Sequence, residues 1–170
     1  HEQGSMSGGG VGWRGNVLLH HPKYSVVETR NLALPSPERR GATVWTLDVE
    51  GVHVDVVGLH LALVGAWRTL QAASIAAFIA AREERPTIVA GDTNDWRASS
   101  RALEPLEAVV GGRTERVPTF PSFKPVLPLD RIVAGRGARV SSVEPVSCDG
   151  ASDHLPVAFK VEISPARAVS

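Results

Sequence analysis

The sequence predicts a four-layer α/β sandwich: two facing, mainly antiparallel sheets with helices outside. Three observations carry this expectation. Most of the chain falls into short runs that are apolar or alternate apolar with polar residues, bounded by Gly and Pro, as strands are. One long segment, 66–85, has helical periodicity instead. That segment sits between a hairpin and a short buried strand, which stacks helix and sheet as layers.

The elements follow in order. Residues 1–11 have no apolar periodicity, and "GSM" before Met6 resembles a cloning scar, so they are expected to be a tag or disordered lead-in. The first strand is expected near Asn16, in "NVLLHH" (16–21), closed by Pro22. "YSVVET" (24–29) alternates as a strand, and "LALPSPERRG" (32–41) reads as loop, with two prolines and a basic pair. "TVWTLDV" (43–49) and "VHVDVVGLHL" (52–61) flank Glu50-Gly51 and predict a tight hairpin, with His53 and Asp55 outward and Val52, Val54 and Val56 inward. In the helix, Leu70, Ala73, Ala77, Phe78 and Ala81 recur on one face, Arg82 to Arg85 form a solvated end, and Pro86 stops it. "TIVA" (87–90) is a buried strand, and 97–129 is Pro-rich loop with one helical turn. "RIVAG" (131–135), "ARVSSVEPV" (138–146) and "PVAFKVEI" (156–163) close a domain spanning 12–163, before a frayed tail, 164–170.

Composition narrows the function. At 170 residues, 43% apolar and 21% charged, the chain is one ordinary globular domain. Eighteen basic and eighteen acidic residues cancel, so no global positive field draws it onto nucleic acid or anionic membrane. The single Cys148 excludes an internal disulfide framework and a cysteine zinc cluster. No apolar run approaches the roughly 20 residues of a membrane span, and no secretion signal is recognisable. These features favour a soluble protein, the cytoplasm slightly ahead, and say nothing of oligomeric state.

Four polar groups stand at strand ends: His60 after "VDVVGL", Asp92 and Asn94 in "IVAGDTN", Asp130 before "RIVAG", and "SDH" (152–154) before the last strand. Loops at such ends converge on one rim held by the sheet. Three carboxylates, one carboxamide and two imidazoles suit Mg²⁺ beside a phosphate better than zinc, which wants more imidazole or thiolate. A histidine held by a carboxylate can stabilise developing charge or deliver a water. Each residue also has a plainer reading. Asp92 and Asn94 fit a turn, His60 a core histidine, "SDH" a polar strand entry, Asp130 a surface pair with Arg131, and Trp13 and Trp96 packing.

Taken together, "GLHL", a helix with Arg68 and Gln71, "IVAGDTN", "PTFPSFKPVLPLDRIV" and "SDHLPV" resemble the endonuclease/exonuclease/phosphatase superfamily. The resemblance covers roughly residues 12–163, and "GDTN" and "SDHLPV" are its specific parts. It implies that His60 hydrogen-bonds the scissile phosphate and that Asp92 orients or deprotonates the attacking water. It further implies that Asn94 holds a phosphate oxygen, that Asp153 is a metal carboxylate, and that His154 meets the phosphate with Asp130 orienting its ring. Trp13 falls near a place where some members carry an active-site aromatic, while Arg68 and Gln71 match a structural pattern. The implied cofactor is Mg²⁺ or Mn²⁺. The family's opening strand and its "LQE" motif, whose Glu is the principal metal ligand, are not evident. Glu2 in "HEQ" is read as tag residue or as the tail of that motif, and "LLHH" puts His20 where a Ser is usual.

The expected function is metal-dependent hydrolysis of a phosphodiester or phosphomonoester by in-line water attack. The alternative is an inactive or fragmentary member of the fold acting as a binding module. A chance match to an unrelated α/β domain would be revealed if the site residues did not meet in one place. The expected partner is a phosphorylated small molecule, a phospholipid head group or nucleic acid. Neutral net charge weighs against a duplex-DNA enzyme, and Arg113, Arg116 and Lys124 are expected to border the cleft.

Overall fold

The computed structural model describes residues 10–13, 16–97, 101–147 and 149–164. Twelve elements alternate along them: β1 (Gly10–Trp13), β2 (Asn16–Leu19), β3 (Ser25–Ala33), β4 (Gly41–Val49), β5 (Val52–His60), α1 (Gly65–Ala80), β6 (Thr87–Asp92), α2 (Glu104–Val110), β7 (Glu115–Arg116), β8 (Asp130–Gly135), β9 (Ala138–Pro145) and β10 (Val157–Ile163). Six strands form one sheet in the order β3-β4-β5-β6-β8-β7, while β9 pairs with β10 and β1 with β2. All pairings in the large sheet are antiparallel except β5 with β6, whose connection is α1. A parallel pair needs such a crossover, and the apolar helix supplies it.

The β4–β5 turn is the expected two-residue one. Glu50 and Gly51 both take positive φ, 55° and 86°, as a turn matching the sheet's twist requires. One face of the large sheet packs Val44, Val57, Leu59 and Val89 against Ile75 and Ile79 of α1 and Leu106 and Val110 of α2. The other packs Val54, Ile88, Ile132 and Ala134 toward Val140, Val143, Val157 and Val161 of β9 and β10. Two facing sheets with helices outside the larger one are thus the sandwich expected from the alternation.

Five local expectations are corrected. A strand, Gly10–Trp13, precedes the one expected near Asn16, and β3 runs on through "NLA" into the segment read as loop. Asp55 is buried rather than outward, at 2% exposure. It lies under Arg82, whose Nε donates to Asp55 Oδ2 at 2.9 Å and whose Nη2 reaches Glu28 Oε2 at 2.6 Å. Arg82 therefore belongs to an internal network, not to a solvated end, and α1 stops at Ala80 so that it can turn back. The helix face is rotated as well. Its buried stripe is Arg68, Gln71, Ala72, Ile75, Ala76 and Ile79, leaving Leu70, Ala73, Ala77 and Ala81 exposed and Phe78 half-buried. A helix rich in alanine all round gives little apolar contrast. Two inward polar side chains set its rotation instead: Gln71 accepts from Ala62 N at 2.8 Å and donates to Pro35 O at 3.2 Å.

Candidate active site

The pairing register builds the site. His60 at the end of β5 lies opposite Asp92 at the end of β6, and Asp92 lies opposite Asp130 at the start of β8. Opposite residues on neighbouring strands project from the same face, here the face toward β9 and β10. The imidazole Nε2 of His60 is 3.3 Å from Asp92 Oδ2. Asp130 meets the second imidazole: His154 Nδ1 is 2.7 Å from Asp130 Oδ2, which also accepts from Thr119 Oγ1 at 2.6 Å. His154 reaches this row because its segment is pinned on both sides. Leu155 N donates to Thr119 O at 2.9 Å, Ser122 N donates to Asp153 O at 2.7 Å, and the Phe120 ring lies 5.0 Å from the His154 ring.

The loop after β6 is held from beneath. Asn94 N donates to Asp92 Oδ1 at 2.8 Å, so the Asp-Asn corner is indeed an Asx turn as well as part of the site. Asn94 takes φ 51°, and its carboxamide turns inward to donate to Leu61 O at 2.9 Å. Two buried arginines then clamp the carbonyls. Arg68 Nη1 donates to Asn94 O at 2.6 Å and Leu63 O at 2.9 Å, and its Nε is 3.7 Å from Asp95 Oδ2. Arg131 Nη2 donates to Asp95 O at 2.6 Å and Arg97 O at 2.8 Å. Arg131 is therefore a buried loop anchor, which overturns its reading as Asp130's surface partner. Gly91 has φ 146°, and a Cβ there would stand 2.0 Å from Leu59 O. Close approach to β5 explains this glycine, rather than proximity to a substrate.

Charge follows geometry. Burial pushes the Asp92 carboxyl up, but hydrogen bonds from His60 and Asn94 N, with the His60 and His154 charges, leave it below its usual value. For His154, burial acts downward. The Asp130 hydrogen bond and the charges of Asp130, Asp92 and Asp153 outweigh it and raise the imidazole above its usual value. An ionised Asp92 and a readily protonated His154 thus stand on one rim. Below them a cavity of about 340 Å³ is lined by Asp130, Ser152 and His154 at its polar side and by Ile132, Val157 and Phe159 at its apolar side.

The structure therefore brings His60, Asp92, Asp130 and His154 together, with Asn94 under the loop and Asp153 exposed beside His154. Glu2 and Cys148 lie outside the described residues, as does the Trp13 side chain. Sequence reasoning missed Thr119, which is fully buried yet holds Asp130, and Arg40, whose Nη1 is 3.0 Å from His60 Nδ1. "PTFP" carries no signal for the first, and "ERRG" has the composition of plain loop. Among the described residues, no group of three His, Cys, Asp or Glu side chains is placed to hold a metal ion. Asp92 and Asp130 already face imidazoles, so Asp153 offers one carboxylate, and this donor set does not complete a metal site.

Comparison with known proteins gives the chain a family and a fold. A model of the Endonuclease/Exonuclease/phosphatase family matches residues 3–154. The chain is 31% identical to the "Uncharacterized protein YbhP" of Escherichia coli K12 over 166 residues, 89% of this chain and 64% of that protein. It thus spans 64% of the length of the curated relatives it matches. A Bacteroides thetaiotaomicron mannosyl-6-phosphatase superposes with TM-score 0.70 at 16% identity, over 86% of this chain and 70% of that one. An endonuclease/exonuclease/phosphatase from Bacteroides vulgatus gives TM-score 0.72 at 22% identity, over 87% and 69%. The human Nocturnin catalytic domain with bound sulfate gives 0.69 at 16%, over 87% and 63%. At such identities these structures speak for the fold.

Proposed function

The chain belongs to the endonuclease/exonuclease/phosphatase family, and from that premise we propose that it hydrolyses a phosphoester bond by in-line attack of water. The observation that carries the reading is the pair of imidazole–carboxylate contacts, His60 with Asp92 and His154 with Asp130, set in one row across three strands. Asp92, held below its usual pKa, suits orienting the attacking water better than abstracting its proton, because a weak base gains little from proton transfer. His154, its Nδ1 engaged by Asp130, presents Nε2–H to a non-bridging phosphoryl oxygen as negative charge grows there. His60 is assigned the second such contact, which requires its Nε2 to turn from Asp92 to the phosphoryl oxygen. A carboxamide carries two N–H groups; one of Asn94's binds Leu61 O, and the other is assigned to a phosphate oxygen.

Mg²⁺ or Mn²⁺ is the proposed cofactor, and Asp153 would be one of its ligands. When bound, such an ion stabilises the leaving oxygen. The substrate is a phosphorylated small molecule, a phospholipid head group or nucleic acid. The experiment uses bis(p-nitrophenyl) phosphate and p-nitrophenyl phosphate with Mg²⁺, with EDTA, and with Asp92→Asn. Turnover abolished by EDTA and reduced at least about 100-fold by Asp92→Asn, with the circular dichroism unchanged, is expected. Turnover indifferent to Asp92→Asn overturns the assignment, and no turnover at all favours the binding-module alternative.

A further inference from the structure

Trp96 lies two residues beyond Asn94, on the loop that the two buried arginines clamp, and its side chain is 54% exposed. A large ring left in solvent is unusual on a loop so well anchored. Arg131 fixes the carbonyls on either side of it, at Asp95 and Arg97, and Arg116 Nη2 donates to Trp96 O at 3.3 Å. The indole is therefore presented on backbone that needs no ordering when a ligand arrives. Its neighbours are cations. The Arg97 guanidinium lies 5.9 Å from the ring centroid, and Arg97 and Arg101 line a hollow of about 480 Å³ at the start of α1. Nothing acidic occupies the first turn of that helix, and its N-cap makes no side-chain hydrogen bond, so its end adds positive potential to the hollow.

A rigid exposed aromatic interleaved with arginines matches the chemistry of single-stranded nucleic acid. Base stacking on such a ring is tolerant of sequence, and guanidinium groups follow the phosphates. A membrane surface would call for apolar side chains beside the ring. Leu63 and Val64 are exposed at the start of α1, so the guanidinium of Arg97 against the ring is what favours a polyanion, and the vesicle arm of the test decides between them. We infer that Trp96, with Arg97 and Arg116, is a stacking platform that seats a base of a short single-stranded nucleic acid next to the hydrolytic site. The inference rests on the phosphoesterase reading only for the word hydrolytic. Its own content is a binding surface. The local basic cluster also reconciles a neutral chain with a polyanionic ligand, since a few contacts suffice for a short strand.

The test is fluorescence anisotropy of a labelled oligothymidylate of about ten nucleotides, titrated with the wild-type protein at low and moderate salt. Trp96→Ala, Trp96→Phe and Arg97→Ala are measured beside it, with Arg139→Ala as the control and EDTA present throughout so that the strand is not cleaved. Binding is expected to weaken with salt, to fall about tenfold or more in Trp96→Ala, and to be largely kept in Trp96→Phe. Arg97→Ala should weaken binding and lower the salt slope by about one. Arg139→Ala, at an exposed arginine on β9, should bind like the wild type, and turnover of p-nitrophenyl phosphate is assayed separately, so loss of turnover and loss of binding are read apart. Absent binding, or binding indifferent to Trp96→Ala, overturns the inference. So does Trp96-dependent binding to phosphatidylglycerol vesicles without binding to the oligonucleotide.

Discussion

Thr119 fixes Asp130, and through it the tautomer and orientation of His154. The buried hydroxyl and the half-buried imidazole share one carboxylate oxygen. Removing the hydroxyl without changing the side-chain shape leaves that oxygen short of a donor, at a cost of about 1–3 kcal/mol. Thr119→Val is expected to lower kcat about tenfold with KM nearly unchanged, as measured on a chromogenic phosphoester, while the circular dichroism stays that of the parent. A loss confined to KM would place Thr119 outside the chemistry. At this scale the sequence was a good guide to which polar side chains meet at strand ends, as with His60, Asp92 and Asp130. It was silent where a residue acts through another. Thr119 and Arg40 are ordinary loop residues until the fold brings distant segments against them.

Elements were legible to the extent that alternation is sharp. The β4–β5 hairpin follows from valine spacing and Glu50-Gly51, whereas the face of α1 could not be read from an alanine-rich run. What turns that helix is Arg68, an inward cation whose donors end on three carbonyls, at Ala62, Leu63 and Asn94. Replacing it with methionine keeps the length of the side chain and leaves those carbonyls and Asp95 without it. Arg68→Met is expected to cost roughly 3–5 kcal/mol in urea unfolding, as breaking one side of a buried charged cluster does. A change below about 1 kcal/mol would mean that apolar packing alone seats the helix.

Across the whole molecule, the Glu28–Arg82–Asp55–Thr46 network ties β3, β4 and β5 to the end of α1 at the far side of the sheet from the site. Hydrogen bonds from Arg82 and Arg30 hold the Glu28 carboxyl down to about 2, from an ordinary 4.5. A carboxyl lowered by folding contributes stability above its unfolded value, and that contribution fades as pH falls toward the folded one. Glu28→Gln is therefore expected to be less stable than the parent at pH 7, with the gap closing between about pH 4.5 and 2. Thermal unfolding across that range measures it; a gap constant with pH would remove the ion pair from the account. The layered fold was legible because both sheet faces are apolar. The network was not, because Asp55 in an alternating strand looks like a solvent residue until Arg82 is folded over it.

The row His60–Asp92–Asp130 makes the proposed catalysis a vernier of strand alignment. A slip of two residues between β5 and β6 would keep each side chain on its own face and preserve the burial pattern. It would also displace the partners by about 6.6 Å along the strand, twice the 3.3 Å that now separates His60 from Asp92. Misaligned sheets of this kind would look folded and have no site, so the alignment of β5, β6 and β8 is itself part of the proposed active centre.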